Sequence, residues 1–161
     1  GVPRLVKEGT VMEILGSHVS NTGDAHASFA HRVEQADGVF FKDKEMYTSK
    51  VFPVITRFRE YVRRLVPCLL HNSRSWVWGE RLAKDMYEWE IKILRRIFGF
   101  NRKINETWIE WQLRTARTAR RLFEKAGFEN ICLRYSRRIH KFGELIVCKT
   151  RKDKDFGAIR P

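Results

Sequence analysis

The longest regular pattern of apolar and polar positions lies between residues 76 and 100. Apolar side chains recur there three and four residues apart, which is the spacing of one face of an α-helix. They form two neighbouring stripes, one from Leu82 to Ile97 and the other from Tyr87 to Phe98, so about half of the helix circumference is apolar. A helix with so wide an apolar face needs neighbours on two sides, and Gly99 is suited to ending it. We therefore predict a central helix that is flanked by others.

Helical periodicity also accounts for most of the remaining chain. Further helices are predicted over about 25–47, 53–69, 106–126 and 129–141. Pro67 should kink or end the second of these, because its ring removes an N–H and clashes with the preceding turn. Asn105 is the predicted cap of the third. The neighbours of the central helix are therefore expected to be helices as well.

The two ends of the chain have other patterns. Residues 1–20 are rich in Val, Ile and Leu, with turn residues at Gly9 and Gly16, and predict a short β-hairpin. Residues 144–148 suit a short strand, and the polar residues after them suit a loose tail. The predicted fold class is thus mainly α. Its parts are an N-terminal β-hairpin over 1–20, a small antiparallel helical bundle over 24–100, a basic helical extension over 101–143, and the strand and tail over 144–161.

The excess of positive charge suggests a partner. The 161 residues carry a formal net charge of +13. Residues 1–50 hold 6 Lys and Arg against 7 Asp and Glu, so the rest of the chain holds 26 against 12. Arginine outnumbers lysine by 20 to 12, and its planar guanidinium pairs with phosphate and stacks on bases. We expect the partner to be nucleic acid, contacted through its backbone. A membrane surface is not expected, because no long basic amphipathic helix stands at either end.

Basic residues on the polar sides of the predicted helices are the candidate contacts. They are Arg57, Arg59, Arg63 and Arg64 on the second helix, Arg95 and Arg96 at the end of the central helix, Arg102 and Lys103 in the connector, and Arg114, Arg117 and Arg121 on the helix after it. Together with Arg120 and Lys125, the last group forms the densest cationic face and the best candidate for a phosphate track. A solvated basic face is an equal alternative on the second helix. The pair on the central helix also suits the negative end of the helix dipole.

Buried polar and aromatic positions raise further expectations. Glu90 falls between the two apolar stripes, and a buried carboxylate is costly unless it is paired. We predict an Arg or a Trp N–H as its partner, or a place where the neighbouring helices diverge. Trp76 and Trp78 precede the central helix and fit either core packing or base stacking. The tryptophans on apolar stripes are expected in the core: Trp89, Trp108 and Trp111.

Motifs for catalysis and cofactor binding are missing from the sequence. It contains no glycine-rich phosphate loop, no HExxH or GxSxG motif, no zinc-spaced set of Cys and His, and no Asp-Asp dipeptide for two-metal catalysis. The chain is therefore not expected to be catalytic alone or to hold a cofactor. Neither a signal peptide nor a run of about 18 apolar residues occurs. We expect a soluble nuclear or cytoplasmic protein that is not secreted and does not bind membranes.

Three motifs occur in an order that resembles a known family. They are the start of EILGSHVSNTGD at 13–24, and the start and end of PCLLHNSRSWVWGERLAKDMYEWEIKILRRIFG at 67–99. This order resembles the region that follows the palm in reverse transcriptases of non-LTR (LINE-type) retrotransposons. The matching residues are Leu15, Gly16 and Ser17; Pro67, Leu69, Leu70 and Trp76; and Leu94, Arg95, Arg96, Ile97 and Gly99. Ile14 and the residues from His71 to Arg74 depart from the family pattern.

The resemblance implies a role in RNA-directed DNA synthesis. Leu15 and Gly16 would belong to the hairpin that positions the primer end, and the helices would form a thumb that holds the template–primer duplex. The catalytic Asp-Asp strand and its Mg would belong to a palm upstream in the same polypeptide, which would also be a packing partner. Two other interpretations stay open: a free-standing basic helical adaptor for RNA or DNA, and a decayed retroelement remnant without present activity.

Overall fold

The computed structural model describes the backbone of residues 11–14, 17–20 and 25–157 and the side chains of residues 25–145. The protein is mainly helical, as predicted. Its elements are β1 (Val11–Ile14), β2 (Ser17–Ser20), α1 (His26–Lys42), α2 (Lys44–Thr48), α3 (Val54–Glu60), a π-helical segment (Tyr61–Leu65), α4 (Val66–Leu69), a 3₁₀ turn (Ser73–Ser75), α5 (Glu80–Phe98), α6 (Trp108–Lys125) and α7 (Ile131–Gly157).

The two strands pair antiparallel at the N-terminal end of the described chain. Their register places Val11 opposite Ser20 and Ile14 opposite Ser17. The hairpin was predicted over residues 1–20 with turns at Gly9 and Gly16. Both glycines lie outside the described residues.

The central helix is α5, and its first apolar stripe packs as predicted, whereas Tyr87 at the start of the second stripe is exposed. Met86, Ile93 and Ile97 are fully buried on the first stripe, and Leu94 is buried on the second. Gly99 ends the helix in the left-handed conformation, with φ of 64°, which glycine adopts without the clash that a Cβ would cause. Helices α1 to α3 contact α5, and so do α6 and α7. The centre of the fold therefore follows from periodicity alone.

The predicted first helix is divided in two at Asp43. Its backbone leaves the helical region, with φ of −108° and ψ of 27°, and its carboxylate pairs with Arg64 at 2.6 Å. After this break Tyr47 is fully buried and stacks on Phe40, with ring centroids 5.2 Å apart. The break lets α2 fold back so that its aromatic ring completes the core.

The helix that contains Pro67 continues through the proline. Residues Tyr61–Leu65 are wound as a π-helix just before it, and α4 continues to Leu69. Proline cannot donate a backbone hydrogen bond, and the wider π turn is a known way to accommodate such an interruption. Pro67 therefore interrupts the α-helical winding but does not end the helix.

Three predictions for the C-terminal half are wrong. Thr107, not Asn105, caps α6: its hydroxyl accepts from the Glu110 N–H, and the Glu110 carboxylate accepts from the Thr107 N–H, which completes a capping box. Trp108 is 58% exposed instead of buried, because it occupies the first turn of α6. The strand expected at 144–148 is part of α7, which runs on to Gly157. Strand propensity is weak when a helix is already formed upstream.

Candidate nucleic-acid interface

The exposed side of α6 carries a row of three cations. Arg117, Arg121 and Lys125 are spaced four residues apart and are all exposed, so they lie along one edge of the helix. The opposite side of α6 buries Thr115, Ala119 and Phe123. Within residues 25–145 the structure gives none of these three cations an ion pair or a hydrogen bond. We call Arg117, Arg121 and Lys125 the α6 row.

A bidentate ion pair holds the preceding connector against α6. Arg114 Nε donates to Glu106 Oε1 at 2.6 Å, and Arg114 Nη2 donates to Glu106 Oε2 at 2.8 Å and to the Asn101 carbonyl at 3.1 Å. The hydrogen bonds from Arg114 lower the pKa of Glu106 to about 2. Arg102 and Lys103 are exposed within this connector, so they lie beside the first turns of α6. Arg114, a predicted contact residue, thus acts as a clamp that holds the connector against α6.

Arg120 is turned to the other side of α6. Its Nε donates to Glu124 Oε1 at 2.8 Å, and its guanidinium lies 5.3 Å from the centroid of the Tyr87 ring on α5. Both contacts hold the side chain against its own helix and the next. Arg120 therefore helps to join α6 to α5, and its charge is partly neutralised.

The two arginines at the end of α5 stack on aromatic rings. The Arg95 guanidinium lies 4.4 Å from the Trp111 ring and donates to Gln112 Oε1 at 3.0 Å. Burial lowers the pKa of Arg95. Arg96 lies 5.0 Å from the Phe41 ring. Cation–π contacts of this kind stabilise packing, so much of each guanidinium faces the protein instead of solvent.

The four arginines predicted on the second helix have different environments. Arg57 is only 8% exposed and donates to the Ile97 carbonyl at the end of α5. Burial also lowers its pKa. Little of its guanidinium is left for a phosphate, which the sequence could not show because α5 ends beside Arg57 only in the folded chain. Arg63 pairs with Glu60 at 3.2 Å, and Arg64 pairs with Asp43. Arg59 is exposed.

Glu90 is buried and paired, but not with the predicted partner. Its carboxylate accepts from the Tyr61 hydroxyl at 2.9 Å and from the Ile131 N–H at 3.1 Å. Ile131 is the first residue of α7, where free N–H groups and the helix dipole favour an anion. Burial nevertheless raises the pKa of Glu90 to about 7. The side chain therefore fixes the start of α7 against the middle of α5.

The two tryptophans before α5 have different environments. Trp76 is 6% exposed and belongs to the core, whereas Trp78 is 50% exposed. The sequence offered no means of telling them apart, because the ring that separates them, Tyr135, comes from α7. The hairpin residues Leu15 and Gly16 lie outside the described residues, so their role in positioning the primer end stays a prediction.

The site consists of an exposed cationic helix face on a mainly helical protein. Among the described residues, no group of three His, Cys, Asp or Glu side chains is arranged to hold a metal ion. Nor does that part of the chain contain a helix with the length and apolar character needed to cross a membrane. Comparison with models of known protein families, with curated proteins and with solved structures gives no significant match. The resemblance to reverse transcriptases stays a prediction.

Proposed function

We propose that this chain is a non-catalytic nucleic-acid-binding unit that holds the phosphate backbone of a duplex through α6. The observation that carries the proposal is the α6 row, three exposed cations on one helical edge that no described acid neutralises. Charges that are already paired within a protein gain little from a phosphate, so unpaired ones contribute most of the affinity.

The spacing of the row suits a backbone contact without base readout. Four residues of helix rise about 6 Å, so the three cations cover about 12 Å along the helix axis. The helix beneath them is held by three buried side chains and by its capping box. Arginine and lysine contacts to phosphate fix orientation and affinity but carry no sequence information. Binding is therefore expected to be insensitive to sequence and sensitive to salt.

The resemblance to LINE-type reverse transcriptases gives the proposal its biological context. We propose that the helical unit is thumb-like and holds an RNA–DNA template–primer duplex for an RNA-directed DNA polymerase. Catalysis and its Mg would then belong to a palm that carries the Asp-Asp motif, and this palm would pack against the unit. The proposal for the α6 row does not depend on this context, because it requires only a polyanionic duplex.

Salt-dependent binding tests the proposal directly. The probe is a blunt, labelled RNA–DNA hybrid, and its affinity is measured by fluorescence anisotropy between 50 and 200 mM salt, about the range over which phosphate contacts weaken strongly. Each phosphate contact contributes about −0.9 to the slope of log K against log salt. Replacing all three cations of the α6 row with glutamine should reduce the magnitude of that slope by about 2 to 3.

A second triple variant controls for net charge. Lys84, Lys92 and Arg137 are exposed cations that each pair with an acid away from the α6 row, so their replacement by glutamine also removes three charges. This variant should keep most of the slope. Equal losses in the two triple variants would mean that net charge, not α6, determines binding. An affinity that does not change with salt would refute the proposal of phosphate contact.

A further inference from the structure

Three aromatic rings form a stack between α7 and the segment before α5. Tyr135 lies between Trp76, at 6.1 Å and an interplanar angle of 26°, and Trp78, at 5.3 Å and 18°. The Tyr135 hydroxyl donates to the Trp76 carbonyl at 2.8 Å, and its side chain is 1% exposed. The inner part of the stack is therefore fixed, and Trp78 forms its exposed outer end.

The exposed end of this stack opens on a cavity of about 430 Å³, which is within the usual size range of ligand sites. It is lined by Trp78, Cys132, Tyr135, Ser136, Ile139 and His140. The lining thus combines two aromatic rings with the hydroxyl of Ser136 and the imidazole of His140. A planar group that carries hydrogen-bonding edges suits such a mixture better than an aliphatic chain does.

The surroundings of the cavity are cationic. Between residues 131 and 145, α7 carries four Arg or Lys, of which Arg137 pairs with Glu129 at 2.6 Å, and a single acid, Glu144, which lies 3.5 Å from His140. Arg138 follows Tyr135 by three residues, about 4.5 Å along the helix axis, and donates to the Leu70 carbonyl at 2.6 Å. Arg74 lies 5.2 Å from the Phe142 ring, one helical turn further along. Cations beside a stacking ring are the combination found where single strands bind.

We propose that Trp78 is a stacking site for an unpaired base of a single-stranded nucleic acid, with Arg74 and Arg138 beside the adjoining phosphates. The inference rests on the proposed function, since it assumes a nucleic-acid partner, but it involves a different surface. Helix α6 holds duplex backbone, whereas the Trp78 cavity takes a base that has left the duplex. The pairing of a rigid aromatic stack with unopposed arginines favours a base over an apolar peptide, which would not need the charge.

Oligonucleotides with and without bases provide the test. Single-stranded dT, the matching ribo-oligonucleotide, an abasic strand with the same phosphates and a blunt duplex are each titrated against the full chain and against Trp78→Ala, Trp78→Phe and Leu133→Ala. Leu133 is an exposed apolar side chain on α7 outside the cavity. Trp78→Ala should weaken binding of the base-containing single strands on the order of tenfold or more. Trp78→Phe should retain most of the affinity, and Leu133→Ala all of it.

The abasic strand and the duplex separate this inference from the proposed function. Their binding should be the same for the parent chain and for Trp78→Ala, because they offer phosphates but no unpaired base. If Trp78→Ala binds every probe like the parent chain while the duplex still binds in a salt-dependent way, the stacking site is refuted and the α6 proposal survives. Loss of all probes equally in Trp78→Ala and Trp78→Phe would also overturn it, since a base-stacking ring can be phenyl. A chain that binds no duplex at all refutes the α6 proposal.

Discussion

Replacing Glu90 with glutamine should make the protein more stable at alkaline pH and leave it nearly unchanged at mildly acidic pH. Burial raises the pKa of Glu90 from 4.5 to about 7. Two hydrogen bonds, from Ile131 and Tyr61, act in the opposite direction, as do the positive charges of Arg134 and Arg120, but they do not balance the desolvation. The folded state therefore holds the carboxyl proton more tightly than the unfolded state does.

The sign and size of the effect follow from proton linkage. Between pH 4.5 and about 7 the folded protein binds more protons at this site than the unfolded protein, so the free energy of unfolding falls as pH rises. The stabilising contribution is fully present below pH 4.5 and is lost as pH passes through the folded pKa. At about 1.4 kcal/mol for each pKa unit, the loss is about 3 kcal/mol. Glutamine has nearly the same shape and no charge, so Glu90→Gln avoids the loss.

Urea denaturation from pH 5 to pH 9, followed by tryptophan fluorescence, measures the difference. At pH 5 the variant should lie within about 1 kcal/mol of the parent protein. At pH 9 it should be more stable by about 3 kcal/mol, a midpoint change of about 1.5 M urea for a typical slope. Contributions from other ionisable groups cancel when the two curves are subtracted. Glu88→Gln, on the same helix but exposed, is the control and should follow the parent curve.

The reasoning would be refuted by two parallel curves. A difference between variant and parent that stays constant from pH 5 to pH 9 would mean that Glu90 is ionised throughout, as a carboxylate would be if the start of α7 and the Tyr61 hydroxyl fully replaced its hydration. A variant less stable at every pH would mean that the hydrogen bonds lost with the carboxylate outweigh the desolvation that glutamine relieves.

Two further changes test the fold around the site. Gly99→Ala should lower the free energy of unfolding by about 1 to 2 kcal/mol, measured by urea denaturation, because alanine is strained at φ of 64°; an unchanged midpoint would contradict the left-handed helix end. Glu106→Gln should speed hydrogen exchange at the Lys103 amide, which now donates to Glu106 at 2.9 Å, while amides in the middle of α6 stay protected. Equal exchange at the Lys103 amide in variant and parent would mean that the clamp does not hold the connector.

Periodicity predicted the parts of the fold in which the burial of a residue follows from its position along a single helix. The stripes of α5 are regular along the whole helix, so the helix, its buried side and its end at Gly99 could be read directly. The same rule failed at 144–148, where Val147 and its neighbours favour strands but continue a helix that starts at Ile131. Asn105 and Thr107 are both good caps, and only the capping box with Glu110 selects the second.

The candidate site was less predictable because it depends on pairings between distant residues. Arg57 is buried because the end of α5, 40 residues away, lies beside it. Glu90 meets the start of α7 across 41 residues, and Trp78 meets Tyr135. The sequence located the cationic face of α6 but did not distinguish Arg114, which is paired, from the unpaired Arg117 and Arg121. The sequence gives the number of charged side chains, but which of them are neutralised depends on the ion pairs that form in the folded protein.

The residues that carry the resemblance and those that carry the binding proposal are different ones. Arg95 and Arg96 belong to the motif that matches the retroelement family, yet their guanidinium groups stack on Trp111 and Phe41, where they join α5 to its neighbours. Packing alone therefore accounts for these two residues of the motif. The unpaired cations of the α6 row lie outside all three matching motifs. Salt-dependent duplex binding would support a nucleic-acid partner without supporting the family, and the two hypotheses must be tested separately.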